Sequence, residues 1–201
     1  MTIPSIPGKE VTVPDIPIAE SVDLSPDKTA VIIVDMQNDF VKPEGNLYVE
    51  AAEGTIPNIQ RLLESARKAG AKIVYTQDTS FEGDPEWEIW PKHCEKGTWG
   101  WEIVEELAPQ SDKELIFVKN RYDGFYGTSL NHYLTNLWGV KHLVIVGTVS
   151  NICVLHTAAS AGLRWFNIVV PADGISSMTE FDQALTLRQV TSLYGGKVVK
   201  A

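Results

Sequence analysis

The sequence predicts a doubly wound α/β fold, in which a six-stranded, mostly parallel sheet carries helices on both faces in three α/β/α layers. Short apolar runs rich in β-branched residues recur along the chain, and each is nearly uninterrupted, as expected for strands buried on both faces. Helical patterns separate these runs, and strands that alternate with helices are typical of a parallel sheet. The predicted strands span residues 30–34, 73–75, 115–118, 143–146, 168–170 and 198–199.

The clearest helical pattern lies between the first two predicted strands. Ile56, Ile59, Leu63 and Ala66 recur at the spacing of one helix face, and Gly70 follows as the expected end of the helix. Two further helices are predicted over residues 128–138 and 151–163, and the last is predicted to begin at Thr179.

Length, composition and charge limit the class of protein. The chain has 201 residues, which fits one domain, and its net charge of −9 argues against binding to nucleic acid or to anionic membranes. No segment approaches the roughly 18 consecutive apolar residues of a transmembrane helix, and the N-terminus lacks a signal-peptide pattern. Two cysteines are too few for a disulfide framework. We therefore expect a cytoplasmic protein with neither nucleic-acid nor membrane partners.

The first 27 residues differ from the rest of the chain in their proline content. Five prolines, at positions 4, 7, 14, 17 and 26, exclude a helix and favour an extended arm. Such an arm would lie as a strap over the domain or over a partner subunit, and a loose tail is the alternative. The predicted division is an arm over residues 1–27 and one catalytic domain over residues 28–201.

Residues 79–101 interrupt the alternation of strands and helices. The segment holds four tryptophans, three glycines and two prolines, which together indicate a long ordered loop. Long loops in compact domains commonly carry function, and aromatic packing over the edge of the sheet is the alternative reading.

Four reactive side chains follow the first four predicted strands. Asp35, Asp78 and Lys119 come at or just after the first three strands, and Cys153 follows the fourth after a short turn. Because ligands of open parallel sheets bind beyond the carboxyl ends of the strands, these side chains are expected to converge on one site.

Cys153 is the candidate nucleophile of this site. Asn151 is a plausible N-cap, which would place Cys153 in the first turn of a helix, where the helix dipole and the Lys119 ammonium favour the thiolate. This placement predicts a lowered pKa for the thiol. Asp35 could accept the thiol proton and return it to a leaving amine, and backbone N–H groups of the turn could hold an oxyanion. Each residue taken alone also has a purely structural reading, and only their shared location favours catalysis.

Three motifs in this order resemble those of the Asp-Lys-Cys hydrolases of the isochorismatase-like superfamily. They are residues 34–40 (VDMQNDF), residues 118–119 (VK) and residues 147–158 (GTVSNICVLHTA), and the resemblance covers roughly residues 28–200. It implies Asp35 as general base and acid, Lys119 as electrostatic partner and Cys153 as nucleophile. It also implies a cis peptide between Thr148 and Val149, with the amides of Val149 and Cys153 as the oxyanion hole.

Within that superfamily, residues 90–94 (WPKHC) resemble the loop of nicotinamidases. The resemblance implies that Phe40 and Trp90 flank the substrate ring and that Asp78 and His93 bind a divalent metal, usually zinc. Ser80 stands where the family has a third metal ligand, a histidine, and serine is a poor zinc ligand. Compensation by one of three nearby acidic residues, and a site without metal, both stay open. These acidic residues are Asp84, Glu86 and Glu88.

The leading functional expectation is a nicotinamidase-like enzyme that hydrolyses a small amide through a thioester, with no organic cofactor. Residues 121–128 (RYDGFYGT) look more like the general isochorismatase-like hydrolases, so a metal-free amidase for a ureido or carbamoyl compound is the main alternative. Isochorismatase chemistry comes third, since vinyl-ether hydrolysis needs no thiol. An inactive oligomeric scaffold is the non-enzyme alternative. The expected partners are a small amide substrate and further copies of the chain, as a homodimer or homotetramer.

Overall fold

A computed structural model describes residues 12–20, 22 and 24–200, and its centre is one parallel sheet. The strands lie in the order β3-β2-β1-β4-β5-β7, and the short β6 pairs with β4. All six predicted strands are confirmed. The seventh, β6, has only two residues, too few for a pattern in the sequence to reveal. The strands are β1 (Thr29–Val34), β2 (Lys72–Asp78), β3 (Leu115–Lys119), β4 (His142–Thr148), β5 (Asn167–Pro171), β6 (Ile175–Ser176) and β7 (Lys197–Val199).

The regular helices are α1 (Asn38–Val41), α2 (Ile56–Ala69), α3 (Leu155–Leu163) and α4 (Glu180–Leu193). Helix α2 ends as predicted at Gly70, which has a φ of 76° and donates its N–H to carbonyls of the last turn. Helix α4 begins as predicted at Thr179, whose hydroxyl oxygen accepts the N–H of Asp182.

Two predicted helices contain wider, π-helical turns. Within residues 128–138 the structure has a π-helix at His132–Leu137, and a second π-helical segment, Ser150–Val154, precedes α3. The proposed cap at Asn151 is therefore wrong, because this residue lies inside the helical segment and Val149 precedes it. The amide of Asn151 instead donates to Asp182 Oδ1 on α4, at 3.0 Å.

The core lies on both faces of the sheet. Side chains alternate across β1, so that Ile32 packs with α3 and α4 on one face while Val31 and Ile33 pack with α2 on the other. All six residues of β1 are buried, which explains the uninterrupted apolar run in the sequence. The rigid centre of the sheet holds the carboxyl ends of β1, β2, β3 and β4 side by side. No helix within the described residues has the length and apolar character needed to cross a membrane.

The described part of the N-terminal arm lies on the domain. Ile18 forms a bridge with Val198 of β7, and Ala19 donates its N–H to the carbonyl of Val198 at 2.8 Å. Val22 and Leu24 pack against the core on the α2 face. Residues 1–11, 21 and 23 of the proposed arm lie outside the described residues, and the division of the chain near residue 28 stays a prediction.

Candidate active site

The carboxyl ends of four adjacent strands bring the predicted reactive residues together. Asp78 and Lys119 are the last residues of β2 and β3 and are neighbours in the register of the sheet. Asp35 directly follows β1, and Cys153 lies in the π-helical segment that follows β4. The four side chains thus lie together at one edge of the sheet, as expected from the order of the strands.

The Lys119 ammonium is the centre of this cluster. Its Nζ lies 2.7 Å from Asp35 Oδ2, 3.0 Å from Asp78 Oδ1 and 3.7 Å from Cys153 Sγ. All four side chains are buried, and Lys119 is only 1% exposed. One buried ammonium therefore bridges two carboxylates and contacts the sulfur.

Burial and charge act in opposite directions on the acid–base groups of the cluster. Burial lowers the pKa of Lys119, but the charges of Asp35 and Asp78 outweigh it and raise this pKa well above its ordinary value. Burial raises the pKa of Asp35, and the nearby ammonium opposes this shift only in part. For Asp78 the balance is reversed, because Lys119 and His93 overcome the effect of burial and lower the pKa to about 2. Lys119 therefore stays charged, and Asp78 is the more acidic of the two carboxyl groups.

The expected lowering of the Cys153 pKa is wrong. Burial raises the pKa of this thiol well above its ordinary value, and the attraction of Lys119 for the thiolate does not compensate. Asp35 and Asp78 add negative charge beside the sulfur, and both oppose a thiolate. The sequence indicated the neighbouring cation but not the 5% exposure of the cysteine. The sulfur of Cys153 is consequently held as a thiol, and a base would have to remove its proton before it could attack a substrate.

Two polar residues that the sequence analysis did not select hold the carboxylates in place. Thr76 donates its hydroxyl to Asp35 Oδ1 at 2.7 Å. Gln37 bonds both backbone groups of Asp78, accepting its N–H at 2.7 Å and donating to its carbonyl at 2.9 Å. Thr76 precedes Asp78 by two residues on β2, so the period of a strand could have indicated that both face the same side.

The turn before Cys153 is tightly fitted to β1. Gly147 has a φ of 118°, and a Cβ at this position would lie 2.1 Å from the carbonyl oxygen of Val34. Only glycine allows this approach. The peptide between Thr148 and Val149 is cis, as the family resemblance implies. Within the described residues, the N–H of Val149 donates to no protein acceptor, which leaves it available at the pocket wall.

A small pocket opens onto Cys153. The cavity has a volume of about 20 Å³, close to the space for one water molecule. The lining residues are Phe40, Leu47, Asp78, Glu86, Trp90, His93, Tyr122, Val149, Ile152, Cys153 and Met178.

The loop over residues 79–101 supplies the outer wall of this pocket. Glu86, Trp90 and His93 all come from it, so the loop borders the site. Trp90 donates its indole N–H to the Tyr122 hydroxyl at 3.0 Å, and the ring centroids of Phe40 and His93 lie 5.6 Å apart. The two aromatic residues named from the sequence, Phe40 and Trp90, thus both line the pocket.

The residues present do not fit the metal site that the resemblance implies. Asp78 Oδ1 is engaged by Lys119, while Asp78 Oδ2 lies 3.4 Å from His93 Nε2, and the other ring nitrogen of His93 lies 2.7 Å from the carbonyl oxygen of Pro91. Ser80 is buried, and in the described part of the chain no three His, Cys, Asp or Glu residues are grouped to hold an ion. Catalytic zinc ordinarily has three protein ligands.

The acidic residues considered as replacement ligands have different surroundings. Asp84 accepts from Arg121 at 3.2 Å and caps the turn that follows it, and Glu88 is exposed. Glu86 alone of the three lines the pocket. Burial and the charge of Asp78 raise the pKa of Glu86. No pattern in the sequence distinguishes Glu86 from Asp84 and Glu88.

We expect replacement of Lys119 by Met to destabilise the protein by about 3–5 kcal/mol at pH 7, because two buried carboxylates lose their common cation. The pKa of Asp78 should then rise above its unfolded value, and the already raised pKa of Asp35 should rise further, so the loss should shrink as the pH falls and both groups become protonated. Urea denaturation of Lys119→Met at pH 7 and pH 5 measures both effects. The exposed Lys113→Met serves as the control. Equal stability of Lys119→Met and the original protein at pH 7 would contradict the prediction.

Comparison with known proteins reveals a clear family match. The isochorismatase domain model matches residues 29–201. The ureidoacrylate amidohydrolase RutB of Serratia proteamaculans is 30% identical over 216 residues, with 94% of this chain and 86% of the relative covered. Among solved structures, the N-carbamoylsarcosine amidase of Thermoplasma acidophilum is 34% identical, with a TM-score of 0.78 and 86% and 96% of the two chains covered. The nicotinamidase PncA of Bacillus subtilis is 28% identical, with a TM-score of 0.81 and coverage of 86% and 100%.

Proposed function

Because the chain belongs to the isochorismatase family, we propose that it is a cysteine amidohydrolase that acts on a small ureido or carbamoyl compound. The observation that carries the proposal is the buried cluster in which Lys119 contacts Asp35, Asp78 and Cys153 at the mouth of a pocket. Its members are an acid–base carboxyl, a fixed cation and a sulfur nucleophile, the three groups that covalent amide hydrolysis requires.

In the proposed first half-reaction, Asp35 removes the proton of the Cys153 thiol as the sulfur attacks the substrate carbonyl. The amides of Val149 and Cys153 donate to the developing oxyanion, and Lys119 stabilises the negative charge that moves through the cluster. Asp35 then gives the proton to the nitrogen, which leaves as ammonia or as an amine. The acyl or carbamoyl group remains bound to sulfur as a thioester or thiocarbamate.

In the second half-reaction, Asp35 accepts a proton from water, and the resulting hydroxide attacks the sulfur-bound carbonyl. The C–S bond breaks, the thiolate regains the proton from Asp35, and the acid or carbamate leaves. Both steps use the same base and the same oxyanion site. The raised pKa of the Cys153 thiol supports the role given to Asp35 in the first half-reaction. Because the thiol is protonated at rest, its proton must pass to Asp35 as the C–S bond forms.

Two considerations support a carbamoyl or ureido substrate. The ureidoacrylate amidohydrolase and the N-carbamoylsarcosine amidase are both at least 30% identical to this chain. In addition, the oxygens of Asp78 are already occupied, so the pocket offers no good set of ligands for a metal that would hold a ring nitrogen. Nicotinamide remains the second candidate, because Phe40 and Trp90 provide two aromatic walls.

A panel of amides tests the proposal, with ammonia release as the readout and Cys153→Ala as the blank. The panel contains simple ureas, N-carbamoyl amino acids, ureidoacrylate and nicotinamide, and bound zinc is measured on protein purified without chelator. We expect turnover of at least one urea or carbamoyl compound that exceeds turnover of nicotinamide. Fast hydrolysis of nicotinamide by protein with stoichiometric zinc would favour the second candidate. A protein inactive on the whole panel would favour a scaffold.

Ser80→His provides a second comparison, since it restores the residue that zinc-binding relatives are expected to have. A gain of zinc and of nicotinamide hydrolysis in this variant, from a low starting level, would support the metal-free reading of the original site. The homodimer or homotetramer and the cytoplasmic location stay predictions.

A further inference from the structure

We propose that Glu86 selects ureas over simple carboxamides by accepting hydrogen bonds from the two N–H groups that flank a urea carbonyl. This inference rests on the proposed function and assigns a specificity-determining residue to it. The observation behind it is the largely buried carboxyl group of Glu86 on the wall of the pocket that contains Cys153, with Arg121 as its ion-pair partner at 3.5 Å and no hydrogen bond to it from a described residue.

The position of Glu86 is fixed by its own backbone. It lies in a 3₁₀ turn, Pro85–Glu88, which Asp84 caps by accepting the N–H of Glu86 at 3.0 Å. At the other end of the turn, Trp90 donates its N–H to the carbonyl of Glu86, also at 3.0 Å. Because both backbone groups are bound, the side chain enters the pocket from a rigid base.

The carboxyl group of Glu86 has acceptor capacity that the protein does not use. Glu86 is 7% exposed, and none of the described side chains or backbone amides donates a hydrogen bond to its carboxyl oxygens. It forms an ion pair with Arg121, whose Nη1 lies 3.5 Å from Glu86 Oε2 and 3.2 Å from Asp84 Oδ1. The other pocket carboxylate, Asp78, is already paired with Lys119 and His93.

A carboxyl group at the wall of a pocket, with acceptor sites left free by the protein, can bind a ligand that supplies hydrogen-bond donors. A urea presents two N–H groups side by side, directed away from its carbonyl oxygen. Two carboxylate oxygens can accept both at once, in the bidentate manner seen with guanidinium groups. A carboxamide has a CH₂ group in place of one of these N–H groups, so it would leave one acceptor unpaired.

The test uses pairs of substrates, a urea and the amide in which a CH₂ group replaces one N–H group of that urea. Propylurea is compared with pentanamide, and 3-ureidopropanoate with glutaramate, so that the inference does not depend on the charge of the tail. The kcat/KM ratio of urea to amide is measured for the original enzyme, Glu86→Gln and Glu86→Met. The exposed Glu88→Gln in the same turn is the control. Comparing ratios between variants cancels the different intrinsic reactivities of ureas and amides.

We expect the ratio to fall by about 10- to 100-fold in Glu86→Met, which has no acceptor oxygen, and by less in Glu86→Gln. Glu88→Gln should leave it unchanged. A ratio that is the same in the original enzyme and in a folded Glu86→Gln, with both compounds hydrolysed, would overturn the inference but leave the proposed function intact. An enzyme inactive on all four compounds would instead contradict the proposed function, and this inference with it.

Discussion

Replacement of Cys153 by alanine is expected to abolish amide hydrolysis, with kcat lowered on the order of 10⁴-fold or more. The variant lacks the sulfur that would carry the acyl group, and the described residues that line the pocket include no serine, threonine or second cysteine. The change removes one buried atom next to Lys119, so the fold should persist. Ammonia release with the best substrate of the panel and circular dichroism measure the two properties.

Cys94 provides the matched control, since it is the other buried cysteine and lies outside the pocket lining. Cys94→Ala should retain most of the activity. In that background, iodoacetamide should react with Cys153 slowly at pH 7 and faster as the pH rises, because the raised pKa keeps the sulfur protonated at neutral pH. Alkylation should remove activity in step with the modification. Full activity in Cys153→Ala would refute the assignment of the nucleophile.

Asp35→Asn is expected to lower kcat by about 10²- to 10⁴-fold, the range for loss of a general base. Asparagine keeps the shape of the side chain and can still accept a hydrogen bond from Thr76, but it cannot take the thiol proton. The loss should appear in the first turnover, because C–S bond formation itself needs the base. Rapid-quench kinetics of the acyl-enzyme, followed by mass spectrometry, measures this step.

Asp123→Asn is the control for Asp35→Asn. It tests whether the loss of any hydrogen-bonded carboxylate lowers kcat, or only the loss of Asp35. Asp123 accepts from Ser160 and lies outside the residues that line the pocket. An Asp35→Asn enzyme that keeps most of its kcat would mean that another group is the base. His156 would then be the first alternative, although it is exposed and its ring nitrogen lies 2.7 Å from the carbonyl oxygen of Ile152.

The sheet and the location of the site could be predicted from the sequence because both depend on local patterns. Buried parallel strands require continuous apolar runs, and their carboxyl ends meet at one edge, so Asp35, Asp78 and Lys119 could be placed together without coordinates. The short β6 and the π-helical turns gave no such pattern. Their form depends on contacts between segments far apart in the sequence, such as that between Asn151 and Asp182.

The properties that depend on burial could not be predicted. The sequence indicated a cation beside Cys153, but the direction of its pKa shift is decided by how completely the sulfur is removed from water. Glu86 and Asp84 are two residues apart in one loop and both lie near Arg121, yet of the two only Glu86 lines the pocket, while Asp84 caps the turn that follows it. Composition predicted that the loop has a function, while the orientation of Glu86 in it depends on the turn at Pro85–Glu88.

The placement of Lys119 between Asp35 and Cys153 has a consequence for the proposed transfer of the thiol proton. When the thiol proton moves to Asp35, a carboxylate becomes neutral and a sulfur becomes negative, so the total charge beside the ammonium is the same before and after. The Lys119 ammonium stabilises the Asp35 carboxylate before the transfer and the Cys153 thiolate after it, and it contacts both groups. Such an exchange needs no counter-ion and no hydronium from bulk water, and it can therefore take place in a compartment sealed from solvent.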